Sequence, residues 1–424
     1  MEARETTGAW PAAGAGPVPV GPPGAVFAVV VLTAMNLLNY VDRWVPSATK
    51  ELFKRELRLT DAETSLPLTA FVVVYMVMSP VFGTLADRWP RKVVVAAGVA
   101  LWSLATGAAA FAVGFWTLLL ARGLVGVGEA AYATLSPSLI SDLYPPAARN
   151  RILTIFYVAI PVGAAIGFSV GGLLGASYGW RVAFLACGLP GLLVAALALW
   201  IREPPRGVFD RDAADPAPAW PEALRSLARN RQYAITVAGY TAVTFASGAL
   251  ADWFPAFLAR QRGMGIGEAG SLIGTAAVVG GLGGTIAGGW LGDKLRGRTR
   301  QPYLALSAWS MGVATVLASL ALVVETRWVI AVLMVSAQFF MWFYNGPVNA
   351  ILVNSVGSSL RARAFSLSIL CIHLFGDAIS PPVVGAIADL TGSLPVAILL
   401  VPFSLVLGTG IWLWAWRRLP EADP

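Results

Sequence analysis

Apolar residues in this chain gather in runs of about twenty or more. Short polar stretches break the runs. Each run is long enough to cross the hydrocarbon of a bilayer as a helix. Runs of this kind fall at 25–47, 65–85, 93–113, 115–142, 152–177 and 181–201, and again at 232–258, 268–292, 303–324, 327–354, 363–389 and 394–416. The pattern predicts an all-α membrane protein with twelve transmembrane helices, six and six. Between the two sets lies the longest polar stretch of the interior, Arg202 to Arg231. Its second half, Pro221 to Arg229, puts Leu224, Leu227 and Ala228 on one helical face and Arg225 and Arg229 on another. This segment reads either as a short helix lying on the membrane surface or as a solvated linker with one transient turn. The predicted organisation is a tail at 1–24, a six-helix bundle at 25–201, a linker at 202–231, a second bundle at 232–416 and a tail at 417–424.

Composition agrees with the runs. The chain is 57% hydrophobic and 12% charged, against about 25% charged in soluble domains, and its mean hydropathy is +0.69. The tail Met1 to Gly24 is rich in Gly and Pro and lacks the basic segment and cleavage site of a signal peptide, so the first run is expected to be retained. The net charge of +7 is spread over loops and forms no basic patch interleaved with aromatics, which argues against nucleic-acid binding. Its placement is informative. Arg88, Arg91, Lys92, Arg149, Arg151, the linker, Lys294, Arg296, Arg298, Arg300, Arg361, Arg363, Arg417 and Arg418 all fall on one side. Positively charged loops stay inside, so both termini are expected in the cytoplasm of a cell-membrane protein. Cys187 and Cys371 lie in separate runs and are expected as free thiols. No cofactor or metal is expected.

Four charges stand inside runs: Asp42 and Arg43 near the end of the first, and Arg122 and Glu129 within the fourth. A charge at the centre of a lipid-embedded helix costs about 2.5–3.5 kcal/mol on insertion scales. Groups so costly face one another or line a water-filled path, and these four sum to zero. Arg122 and Glu129 are seven apart and share a helical face. Asp42 and Arg43 point about 100° apart, so Asp42 is expected to reach Arg122 rather than its neighbour. Burial disfavours a charged Glu129 and a nearby guanidinium favours it. A balance that shifts with exposure to either side is the physical basis of proton coupling. The alternative is a fixed Glu–Arg pair that stitches two helices. Arg43 reads either as a second cation for an anionic head group or as a residue snorkelling from the outer helix end.

The two halves repeat. After the second run comes Gly83-Thr-Leu-Ala-Asp87-Arg88-Trp-Pro-Arg91-Lys92. After the eighth comes Gly289-Trp-Leu-Gly-Asp293-Lys294-Leu-Arg296-Gly-Arg298. Two parallel halves around a midplane site is a known transporter plan. These strings resemble the signature loop of the major facilitator superfamily, with Pro90 where that pattern has Gly and a degenerate second copy after Asp293. The resemblance covers about residues 25–416. It implies two pseudo-symmetric six-helix bundles rocking about a central cavity, usually as a monomer. It further implies that Asp87, with Gly83, Arg88 and Arg91 beside it, forms a conformational latch on the start of helix eleven. Arg91 and Lys92 also suit a plain positive-inside anchor. A narrower resemblance, to the Spinster-type branch, rests on Leu38-Asn39-Tyr40-Val41-Asp42-Arg43, on Arg122-Gly-Leu-Val-Gly-Val-Gly-Glu129-Ala and on Phe156-Tyr-Val-Ala-Ile-Pro161-Val-Gly163. It implies a substrate among lysophospholipids, sphingolipid phosphates and related amphiphiles.

Further positions are candidates for packing or for the cavity wall. Gly163, Gly167, Gly171 and Gly175 recur every four residues and make a groove for a close-packed helix. His373 and Asp377 share a face four residues apart. The histidine is read either as a titrating group or as a hydrogen-bonded core residue. Tyr75, Asn345, His373 and Asp377 are candidate cavity-lining residues, while Asp252 reads as meeting water at an outer helix end. The expected activity is secondary active transport of an amphiphile by alternating access, with membrane lipids around it and protons as a candidate partner. The rivals are a proton-coupled symporter of small organic anions, holding a carboxylate on Arg43 and Arg122, and a sensor without turnover. No nucleotide-binding loop supports a primary pump, and no catalytic constellation supports an enzyme.

Overall fold

The structure is a computed structural model and describes residues 23–206, 219–295, 301–357 and 360–419. The expected tail up to residue 22, the middle of the linker at 207–218, Arg296, Arg298 and the last five residues lie outside these. Among the described residues the fold is all-helical, with twelve helices long and apolar enough to cross a membrane. They are α1 (Ala25–Leu57), α2 (Asp61–Ala86), α3 (Arg91–Ala109), α4 (Phe115–Leu143), α5 (Arg151–Tyr178), α6 (Trp180–Ala198), α7 (Arg231–Arg262), α8 (Ile266–Lys294), α9 (Pro302–Val323), α10 (Arg327–Leu352), α11 (Arg363–Thr391) and α12 (Leu394–Arg418). Successive helices run in opposite directions. One end of the molecule therefore carries Ala25, Arg418 and the linker (the terminus side), and the other carries the α1–α2 and α7–α8 turns (the distal side).

The largest departure from the apolar runs is at the first turn. α1 continues ten residues past the expected boundary at 47, and α2 starts at Asp61 rather than 65. Charged residues end an apolar run but not a helix. The chain turns where Arg58 adopts a left-handed conformation, φ 55. Thr60 then caps α2, its hydroxyl accepting from the Glu63 N–H at 3.2 Å while Glu63 accepts from the Thr60 N–H at 2.8 Å. This reciprocal capping box satisfies two donors that a helix start leaves unpaired. Lys50, Glu51 and Lys54 are thus helical side chains aimed at neighbours.

The glycine row of α5 packs against α1. A β-carbon at Gly163 would lie 2.6 Å from the Leu37 carbonyl oxygen, and one at Gly167 would lie 3.1 Å from the Val41 Cα. The row thus lets α5 approach the stretch of α1 that leads into Asp42 and Arg43. Gly167→Val is expected to lower folding stability by about 1–3 kcal/mol through overpacking, read as a fall in the thermal unfolding midpoint of the purified protein.

Regular helix is interrupted mainly in the second half. α8 contains a π-helical turn at Ala276–Gly280 and α11 one at His373–Asp377, where Gly376 sits at φ −107, ψ −105. α10 breaks between Met341 and Asn345. Such bulges leave i→i−4 donors to other partners and allow bending. The linker segment forms a helix, Trp220–Arg229, seated on α7. Its buried face is Ala223 and Leu227, so of the face read from the sequence Leu227 is buried while Leu224 and Ala228 are exposed.

The bundles meet along α1–α7, α2–α11 and α5–α8. α2 packs on the distal part of α11, Ser380–Thr391. Among the described residues, three sets of bonds join the bundles on the distal side. Asp252 binds Ser47, Lys50 and Ser65; Arg260 binds Glu51 and Asp61; and Asp389 binds the start of α2. The Thr69 hydroxyl donates to the Ala378 carbonyl at 2.6 Å, deepest toward the centre. All these bonds lie in the distal half, so the distal side is shut.

Candidate functional site

Because α1 extends to Leu57, Asp42 and Arg43 stand at its middle and not near its outer end. Antiparallel α4 crosses them there and supplies Arg122 and Glu129. Two ion pairs form between the helices. Arg43 Nη2 lies 2.9 Å from Glu129 Oε2, and Arg122 Nη1 lies 3.5 Å from Asp42 Oδ2. The Thr106 hydroxyl of α3 donates to the same Asp42 oxygen at 2.6 Å. Asp42 therefore meets Arg122 as its geometry on the helix implied, and Arg43 does not snorkel.

Burial divides the four. The side chains of Asp42 and Arg122 are 1% exposed and that of Glu129 0%, whereas that of Arg43 keeps 18%. Arg43 is also ringed by aromatics, its guanidinium carbon lying 4.6 Å from the Tyr40 ring centre, 4.9 Å from Phe71 and 5.8 Å from Tyr75. Phe71 is shared, lying 5.3 Å from the Arg122 guanidinium. Rings at this range favour a cation. Tyr75, a candidate from the sequence, thus belongs to the centre.

The centre is neutral but not saturated. Asp42 Oδ1, Glu129 Oε1, Arg43 Nε and both Arg122 Nε and Nη2 are buried without a hydrogen-bond partner among the described residues, as is Asn39 Nδ2 one turn earlier on α1. Buried polar atoms are ordinarily paired. The spare donors and acceptors lie beside a guanidinium that keeps partial access, so the centre has hydrogen-bonding capacity left for a further polar group.

The remaining sequence candidates lie elsewhere. His373 Nδ1 bonds both oxygens of Asp377, at 2.9 and 3.0 Å, with each side chain about 30% exposed. On α10 the Asn349 side chain bonds back to Asn345, donating to its carbonyl at 2.8 Å and to its side-chain oxygen at 3.2 Å. Gly83 is half-buried against Thr134. Arg88 is exposed, and the Asp87 side chain lies outside the described residues. Arg91 is 4% exposed and bonds Asp142 at 2.6 Å, Glu203 at 3.0 Å and Ser138 at 2.9 Å. It ties α3 to α4 and to the start of the linker beyond α6.

Sequence reasoning missed the distal cluster. Lys50 is 1% and Asp252 is 2% exposed, and they form a buried pair joined by Ser65 and Ser47. Asp252 therefore meets the other bundle and not water. Arg260 forks onto Asp61, with contacts of 2.7 and 2.9 Å, and reaches Glu51 at 2.6 Å, while Lys54 holds Asp61 from its own bundle. The Asp389 carboxylate accepts from the Asp61 and Ala62 N–H groups, at 2.9 and 2.8 Å. A carboxylate on a helix N-terminus is favoured by the helix dipole. The available signal was the mixed-sign run Lys50 to Glu63 facing a lone Asp252.

The family model for the Major Facilitator Superfamily matches residues 32–376. Protein spinster homolog 1 of Mus musculus is 37% identical over 383 residues, covering 85% of this chain and 72% of that protein. The Homo sapiens protein of the same name is 36% identical over 392 residues, covering 87% and 74%. Among solved structures, a bacterial homolog of the human lysosomal transporter Spinster, in an inward-facing and occupied conformation, superposes with a TM-score of 0.81 at 22% identity, covering 94% of this chain and 98% of that one. At that identity the likeness is one of fold.

Proposed function

The chain belongs to the major facilitator superfamily and to its Spinster branch, and from that premise we propose that it carries a lysophospholipid- or sphingolipid-like amphiphile by alternating access, with proton coupling at Glu129. It is a secondary transporter and not an enzyme. The carrying observation is the Arg43–Glu129 pair. Arg43 is the one guanidinium of the centre that keeps access, and the carboxylate holding it has a second oxygen without a partner. An anionic head that docks on Arg43 competes with Glu129. The released carboxylate then takes a proton, and losing the head reverses the exchange. Coupling in this scheme is competition for one cation.

The division of charge supports an amphiphile. Asp42, Arg43, Arg122 and Glu129 all stand in the first bundle, while the second brings uncharged Asn345 and Asn349 and the His373–Asp377 pair. A charged head against one half and an apolar tail against the other fits that asymmetry. With the termini taken as cytoplasmic, the side that the basic loops favour, the shut distal side is the outer one.

The test is flux into proteoliposomes of a labelled lysophospholipid beside a labelled small dicarboxylate, with and without a pH gradient. Lipid flux driven by the gradient is expected. Dicarboxylate flux alone would assign the site to small organic anions.

A further inference from the structure

Lys50 has no part in the scheme above. It follows Arg43 by seven residues on α1, so the two cations share a helical face about 10 Å apart along the axis. Its ammonium meets Asp252, the Ser65 hydroxyl at 2.8 Å and the Trp253 ring at 3.8 Å. Only Ser65 belongs to the same bundle. Asp252 and Trp253 come from α7, across the seam.

The two cations therefore fare differently when the bundles rock. Arg43 keeps its carboxylate, because Glu129 moves with it. Opening the distal side draws α7 from α1 and α2 and takes Asp252 from Lys50. Glu51 cannot replace it, since adjacent helical side chains point about 100° apart. Asp61 is held by Lys54 within the first bundle. Lys50 is left with one hydroxyl and no counter-charge, facing the opened path. The charge then missing at Lys50 is negative, and it is missing only while the path opens to the distal side.

We propose that Lys50 is a second anion subsite, which takes the phosphate or carboxylate of the substrate head in the distal-open state, and that Asp252 is the internal competitor that yields it on opening. The proposal rests on the transport reading, in that the anion is the head of the carried amphiphile. The head passes from Arg43 to Lys50 along one face of α1. On closure, Asp252 returns to Lys50 and displaces it.

The test uses the full chain in proteoliposomes of defined sidedness, with two labelled probes offered at the distal face. One is a lysophosphatidate, with a phosphate monoester head; the other is the uncharged monoacylglycerol of equal chain length. Asp252→Asn, which removes the competitor at constant shape, is expected to lower the half-saturating lysophosphatidate concentration about tenfold, and Lys50→Gln to raise it about tenfold. Lys50→Arg should stay near wild type, and the uncharged probe should not move. A pair that only seals the distal side predicts the same direction for Asp252→Asn and Lys50→Gln, with both probes affected alike; that result overturns the proposal. If Lys50→Gln does not fold, the ratio of the two probes in Asp252→Asn decides by itself. Wild-type protein that moves neither probe would instead remove the transport reading, and the subsite with it.

Discussion

Glu129→Gln is expected to abolish gradient-driven flux while leaving a folded protein. Glutamine keeps the shape of the side chain and one acceptor for Arg43, so packing between α1 and α4 survives. It cannot bind and release a proton in exchange for the head. It also leaves Arg43 without its anion in a centre that was neutral. Breaking a buried pair from one side costs about 3–5 kcal/mol; about 3 kcal/mol placed on the rate-limiting state slows flux on the order of a hundredfold. The measurement is initial uptake of labelled lysophospholipid at equal protein, with the pH gradient imposed and then collapsed. The expected variant shows neither the rate nor the response to collapse. Uptake that stays fast and still follows the gradient would make Glu129 a stitch between helices and move coupling elsewhere.

The centre was legible because its signal is local and costly. Charges inside apolar runs stand out one by one, and the angular offset of Asp42 from Arg43 fixes which of them can reach Arg122. The distal cluster was not legible for the opposite reason. Lys50, Glu51, Lys54 and Asp61 follow an apolar run, where charged residues ordinarily mean water. What buries them is the other bundle, with Asp252 and Arg260 about two hundred positions away in the sequence. Hydropathy also set the end of α1 ten residues early, which moved Arg43 to a helix end and made snorkelling a live alternative. The interruptions of α8, α10 and α11 carry no run-length signal, because a π turn changes hydrogen bonding without changing hydrophobicity. The α5 glycine row was legible as a close-packing face; that α1 fills it depends on the tertiary fold.

Gly385→Leu is expected to drive the protein out of the distal-closed state. A β-carbon at Gly385 would lie 2.7 Å from the Asp61 carbonyl oxygen and 2.8 Å from the Ala62 Cα. Those are backbone atoms of a capped helix start and cannot swing aside. The clash exists only where α11 lies on α2, and it vanishes when the distal ends part, so the substitution acts on one conformation. An overpacking penalty of about 1–3 kcal/mol shifts the two-state balance by about five- to 150-fold. Gly274→Leu should act alike on the other seam, where a β-carbon would lie 2.6 Å from the Ala165 carbonyl oxygen of α5. Asp389→Asn removes charge from the start of α2 and leaves the space open, so its shift should be smaller and in the same direction. In a background with Cys187 and Cys371 replaced and Ser47→Cys introduced, an impermeant thiol reagent at the distal face should label Gly385→Leu about tenfold faster than its parent. Turnover should fall as well, because a cycle held open on one side cannot complete. Labelling at the parental rate would mean that α2 and α11 do not part on the distal side and that the seam is static.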